Sequence, residues 1–99
     1  MTVVNACGVI IRHTELTKKF KKDYRKLSNS LQDNVDTKLE DLLKYPRPSS
    51  LRFEHLQGYH NPKVYSIHVT GNYKISFEII GDTAKLRLVG NHDLIDRCP

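Results

Sequence analysis

Several things this 99-residue chain lacks narrow what it can be. It has two cysteines, Cys7 and Cys98, near its opposite ends. Their spacing matches no metal motif, so we expect no bound metal; free thiols are the default in a reducing compartment, and a bridge between them stays open. No apolar run is long enough to span a membrane, and the mildly apolar opening does not read as a signal peptide, since Asn5 and Gly8 interrupt it and no basic residue precedes it. We therefore expect a cytoplasmic protein with no membrane partner. There is no internal repeat and no low-complexity tract. The apolar fraction is low, 38%, but the apolar residues are grouped periodically, which excludes disorder as the main reading. Residues 1–99 are expected to form one domain with a modest core.

What the chain has is positive charge, +5 net with an isoelectric point near 9.3. Such a balance suits a polyanionic or acidic partner, or simply a solubilising surface.

The clearest pattern lies in residues 63–96, KVYSIHVTGNYKISFEIIGDTAKLRLVGNHDLID. Residues 64–69, 73–80 and 83–89 read as three antiparallel strands joined at Thr70-Gly71-Asn72 and Gly81-Asp82. Alternation puts Ile67, Val69, Ile75, Phe77, Ile79, Ala84, Leu86 and Leu88 on one buried face. Ser66, His68, Lys74, Ser76, Glu78, Lys85 and Arg87 take the other. A short tail follows.

Upstream, residues 2–12 are β-branched and fit a first strand, with Gly8 at a bulge. The period then changes. Leu16, Phe20, Tyr24 and Leu27 recur at helical spacing, with Thr14 as N-cap and Glu15 near the positive end of the helix dipole. A second helix over residues 31–44 carries Leu31, Val35, Leu39, Leu42 and Leu43 on one face, capped by Ser30 with Asp33 in the capping-box position. Pro46 and Pro48 end it. Leu51 and Phe53 read as buried, and Gly58 as the start of a loop through His60 to Pro62. The predicted order is β-α-α-β-β-β: an N-terminal strand, a two-helix hairpin and an antiparallel three-stranded meander, an α+β domain.

The KKFKKDYRKL helix, the FEHLQG element, the YSIHVTGNYKISF hairpin, the GDT turn and the closing VGNHDLID together resemble the RelE/ParE superfamily of type II toxin–antitoxin toxins. The resemblance covers nearly the whole chain and is nearest to the RelE and YafQ type. It implies a RelE-like fold and a metal-independent, cofactor-free endoribonuclease that enters the ribosome and cuts messenger RNA by attack of a ribose 2′-OH on the adjacent phosphate. A cognate antitoxin would neutralise it. The implied catalytic set is His68, matching a strand histidine of the YafQ pattern, and His92, matching the histidine of its final G-x-H motif. Glu54, two residues before the leucine of L-x-G, joins them with Arg87, Lys74 and Tyr73.

Two features depart from the pattern. Leu88 stands where YafQ-like toxins have arginine, so Arg87 would need a bulge near Gly90 to take that place. The hairpin also has no strand arginine, leaving Lys74 as a point charge without a bidentate fork.

Most of these residues have a plainer reading beside the functional one. Glu54 reads equally as a base or as the ion-pair partner of a neighbouring cation. Tyr73 either stacks on a base or packs in the core. Lys18, Lys19, Lys21, Lys22, Arg25 and Lys26 could dock ribosomal RNA through phosphates or form a solvated helix face, and Lys85 is better read as solvated. His55 and His60 read as loop and surface residues, and Glu78 as a cross-strand partner of Lys74 or Lys85. Two rival functions remain: a ParE-type gyrase poison without nuclease activity, and a non-toxic relative that binds only its partner.

Overall fold

The computed structural model describes residues 10–44, 46–60 and 63–99, with the backbone alone for 57–60. The elements run β1 (His13–Leu16), α1 (Lys18–Arg25), α2 (Asn29–Leu42), a 3-10 turn (Ser49–Leu51), β2 (Glu54–His60), β3 (Lys63–His68), β4 (Tyr73–Ile80), β5 (Thr83–Asn91) and α3 (His92–Arg97). They form one five-stranded sheet in the order β1-β5-β4-β3-β2. The α+β class and the meander are as the alternation predicts. The sheet is mixed, because β1 pairs with β5 in parallel while the other pairs are antiparallel.

The differences lie at the ends of the elements. The first strand predicted over residues 2–12, with Gly8, falls almost wholly outside the described residues. The segment Thr14-Glu15-Leu16, which the helical spacing assigns to the start of the first helix, belongs instead with His13 to the edge strand β1. Arg12 and His13 both donate their backbone N–H to the Asp82 carbonyl, at 2.8 and 3.2 Å. That pair of bonds holds the segment extended beside β5, where a parallel ladder outweighs its weak helical tendency.

The true cap of α1 is Thr17. Its hydroxyl oxygen accepts from Phe20 N at 3.1 Å and its O–H donates to the Leu86 carbonyl at 2.8 Å. One side chain thus starts the helix and fastens it to β5. Thr17→Val keeps the shape and removes both bonds, so a loss of about 1–2 kcal/mol in urea-unfolding stability is expected. Ser28, not Ser30, caps α2, accepting from Leu31 N. The helix ends at Leu42, short of the predicted residue 44, and the capping Leu43 is exposed.

Where Gly58 predicts the start of a loop, the chain instead continues as the strand β2. It adds a fourth strand to the meander, pairing Glu54 with Ser66 and His55 with Tyr65 before its register shifts. Period-two alternation is weak in EHLQGYH, and its pairing is supplied from outside by β3. The tail after β5 is the helix α3, capped by Asn91, whose side-chain oxygen accepts from Asp93 N.

The core lies between the sheet and the two long helices. Phe20, Val35 and Leu42 meet Ile67, Ile75, Phe77, Ala84 and Leu86, all buried, on one face of the sheet. An irregularity in β5 changes the predicted face. Ser76 pairs with Leu88 but Phe77 pairs with Leu86, so Arg87 is an inserted residue. Beyond it Val89 is buried, and Leu88, predicted for the core, stands half-exposed opposite Ser76. The bulge falls at Arg87, not near Gly90.

Candidate functional site

The second face of the sheet carries the polar residues of the alternation, and it is not open. α3 lies across the ends of β4 and β5 with Ile95 buried beneath it. His92 N donates to the Asn72 carbonyl at 2.7 Å, which ties the start of α3 to the β3–β4 turn. Ser66, Lys74 and Ser76 are all buried.

Cross-strand register brings the middle of the face together: Glu54 opposite Ser66, Ser66 opposite Ser76, and His68 opposite Lys74. Lys74 Nζ reaches Asp96 Oδ1 at 2.8 Å and Glu54 Oε1 at 3.3 Å, and Ser66 Oγ contacts the same Glu54 oxygen at 3.4 Å. Burial alone would lower the Lys74 pKa, but the hydrogen bond and charge of Asp96, then those of Glu54, outweigh it and raise the pKa. Its hydrogen bond from Lys74 holds Asp96 below the ordinary carboxylate value against the opposing effect of burial. This clasp between α3 and the sheet loses its contribution to stability as pH falls through the Asp96 pKa, below 3.8, or rises through the Lys74 pKa, above 10.5.

His92 opens α3 with Nδ1 3.5 Å from Asp93 Oδ1 and 3.7 Å from Asp96 Oδ2. His68 is half-buried at the end of β3, and its side chain makes no hydrogen bond among the described residues. Burial lowers its pKa most, followed by the charges of Lys74 and Arg52, while Glu54 and Asp96 pull the other way. The net effect is a neutral imidazole at pH 7, with a lone pair free to accept a proton. Beside it opens a recess of about 280 Å³ lined by Lys38, Ser50, Arg52, His68, Val69, Thr70 and Gly71.

The other residues singled out in the sequence lie apart from this cluster. The Arg87 guanidinium pairs with Glu78 at 2.5 Å through Nη1 and donates from Nε to the Pro99 carbonyl at 3.0 Å. Ser76 Oγ donates to the same carbonyl at 3.2 Å. Glu78 therefore pairs with the bulged arginine and not, as alternation suggested, with Lys74 or Lys85. Arg87 and Lys85 line a second depression with Thr17, Lys19, Leu88 and Cys98. Cys98 is an exposed free thiol, and Cys7 lies outside the described residues.

Tyr73 has the parity of Ile75 and Phe77 and packs against the core, on the side of the sheet away from Lys74. In α1, Lys18, Lys19, Lys21, Arg25 and the capping Lys26 are exposed, and Lys22 falls on the same outer surface. Lys19 pairs with Asp23 at 2.6 Å.

Sequence reasoning missed Arg52, Lys38 and Asp96. A signal for Asp96 existed in the i, i+4 spacing from His92; for Arg52 and Lys38 there was none, because only the fold brings α2 and the 3-10 turn to the end of β3. Among the described residues no helix is long and apolar enough to cross a membrane.

No protein-family model and no curated protein matches the chain. Solved structures do. A chain of the RelB–RelE antitoxin–toxin complex from Methanococcus jannaschii is 28% identical, with a TM-score of 0.64 over 86% of this chain and 99% of that one. The intact RelBE toxin–antitoxin complex of E. coli matches at 22% identity and TM-score 0.62, over 81% and 95% of the two chains. YafQ from E. coli matches at 17% identity and TM-score 0.61, over 85% and 97%. The likenesses at lower identity share the fold, and that to the M. jannaschii complex extends to sequence along almost the whole matched chain; the protein belongs to the RelE toxin superfamily.

Proposed function

We propose that this protein is the toxin of a type II toxin–antitoxin pair, acting as a ribosome-dependent messenger-RNA endoribonuclease. The observation that carries the reading is His68, kept neutral by burial and by two neighbouring cations beside an open recess. In the proposed reaction the His68 imidazole takes the proton of a ribose 2′-OH as the 2′ oxygen attacks the adjacent phosphorus. The bond to the 5′ oxygen breaks, leaving a 2′,3′-cyclic phosphate, and His92 supplies the proton that the departing 5′ oxygen takes up. Cations hold the phosphate as charge builds on it.

Membership of the superfamily and the toxin–antitoxin complexes among the similar structures support a cognate antitoxin as partner. The exposed lysines of α1 suit an acidic antitoxin segment or ribosomal RNA.

Primer extension on a messenger RNA in a cell-free translation mix tests the reading. Wild type should cut only when ribosomes are present, and His92→Ala should cut far more weakly. Inhibition of gyrase supercoiling by stoichiometric protein, without any cleavage, would replace this reading with the gyrase-poison one. That alternative draws on one observation: Lys74 and Arg87 are each already paired with carboxylates of the same chain.

A further inference from the structure

The cations that the sequence offers for phosphate differ in how much charge they have left to give. Lys74 is held by two carboxylates, and Arg87 by Glu78 and the Pro99 carbonyl. A phosphodiester arriving at either would meet a carboxylate along with the cation, and repulsion from one would offset much of the attraction of the other.

Arg52 and Lys38 are in the opposite condition. Both border the recess beside His68, and neither side chain makes a hydrogen bond or ion pair among the described residues. Arg52 follows the 3-10 turn in a left-handed conformation, φ 51° and ψ 53°, alone among the described non-glycine residues in having positive φ. Such a conformation is disfavoured for a residue with a side chain, and retained cases cluster at functional sites. Here it turns the chain from the proline connector into β2 and sets the arginine at the rim of the recess.

Hydroxyls complete the lining. Ser50 contributes one and Thr70 the other; the Thr70 oxygen accepts from Asn72 N at 3.2 Å, which leaves its own O–H to donate outward. The volume of about 280 Å³ is near the lower limit of small-ligand pockets, enough for a phosphate and its sugar.

We infer that this recess is a phosphodiester subsite, in which Arg52 grips an RNA phosphate with its planar fork, Lys38 adds a point charge and His68 stands at the adjacent ribose. The choice of RNA as the phosphate's source rests on the nuclease reading above; the anion site itself does not. The arginine fork absent from the β3–β4 hairpin is thereby supplied by the loop before β2.

The test titrates a 2′-O-methylated single-stranded RNA hexamer, which cannot be cut, into the isotope-labelled full chain. Affinity and the His68 imidazole resonances are followed at several salt concentrations. Wild type should bind, with the His68 pKa rising in the complex because a phosphate neutralises the cations that depress it. Arg52→Gly keeps the left-handed backbone and removes the guanidinium; it should bind about 10-fold more weakly. Its plot of log affinity against log salt should be shallower by roughly 0.7.

Gly71→Glu offers a second variant. A Cβ there meets nothing within 4 Å, and Gly71 lines the recess, so a carboxylate introduced at this position should also weaken binding. Wild-type affinity in both variants, or unmoved His68 resonances on binding, would overturn the subsite. Ribosome-dependent cleavage that persists undiminished in Arg52→Gly would overturn it while leaving the nuclease reading intact. Binding that depends on Arg52 in a protein that cuts no messenger RNA would uphold the subsite and remove the nuclease reading.

Discussion

Phe77→Ala should be the most damaging single substitution in the fold, lowering the free energy of unfolding by about 3–5 kcal/mol. Phe77 is fully buried at the middle of β4. It meets Phe53 edge-on with ring centroids 5.5 Å apart and Tyr65 stacked at 6.0 Å, and Phe53 and Tyr65 touch each other at 5.8 Å. Arg47 caps the group, its guanidinium 4.4 Å from the Phe53 centroid. Truncation removes the ring common to both contacts and leaves a cavity between the sheet and the 3-10 turn.

A domain of this size has total stability of about 5–15 kcal/mol, so the variant stands at the margin of folding, with its thermal midpoint lower by tens of degrees. Phe77→Leu, which refills most of the volume, should cost less than about 1.5 kcal/mol. Urea unfolding of the two variants measures the difference. A Phe77→Ala protein as stable as Phe77→Leu would show that the aromatic cluster does not hold β2 and the turn in place.

His68→Gln should have the largest effect on activity. If the imidazole takes the 2′-OH proton, its loss should slow messenger-RNA cleavage by about 100- to 10,000-fold. The pH profile distinguishes this role from a merely structural one. The groups acting on His68 are Lys74 and Arg52, which with burial lower its pKa, and Glu54 and Asp96, which oppose them. The wild-type rate should therefore hold as pH falls to 6.5 and decline only below it, when the imidazole of the folded protein at last takes up a proton. His68→Gln should lack that acidic limb.

Stability follows the same linkage. Because the folded pKa lies below the unfolded value of 6.5, the unfolded chain binds more protons between the two values. Stability is thus full above about pH 6.5 and declines as pH drops through that window. In His68→Gln this part of the pH dependence should vanish. An unchanged acidic limb of activity in the variant would assign the proton transfer to another group.

The sequence by itself determined a good deal. Two-residue alternation in β3, β4 and most of β5 fixed the core face, because a half-buried strand exposes every second residue to a different solvent. Helical spacing of Phe20, Tyr24 and Leu27, and of Val35 and Leu42, fixed which stripes of α1 and α2 turn inward. The family resemblance lay in the KKFKKDYRKL helix and the β3–β4 hairpin together with the FEHLQG, GDT and VGNHDLID segments.

Tertiary structure decided what no local pattern encodes. β1 and β2 are strands because β5 and β3 supply their hydrogen-bond partners, and neither segment alternates strongly enough to declare itself alone. The Arg87 bulge, one residue wide, moved Leu88 off the core face and Val89 onto it, since a shift of one reverses every later side chain. Charge was the least legible property. The sequence shows Lys74 and Arg87 as available cations, yet α3 and β2 bring Asp96 and Glu54 onto the first, and Glu78 takes the second. Arg52 and Lys38, unremarkable in the chain, keep their charge uncompensated because the fold pairs neither with a carboxylate among the described residues. Coulomb interactions depend on distance in space and not on separation along the chain, so the sequence supplied the charges and only the fold decided which of them were left over.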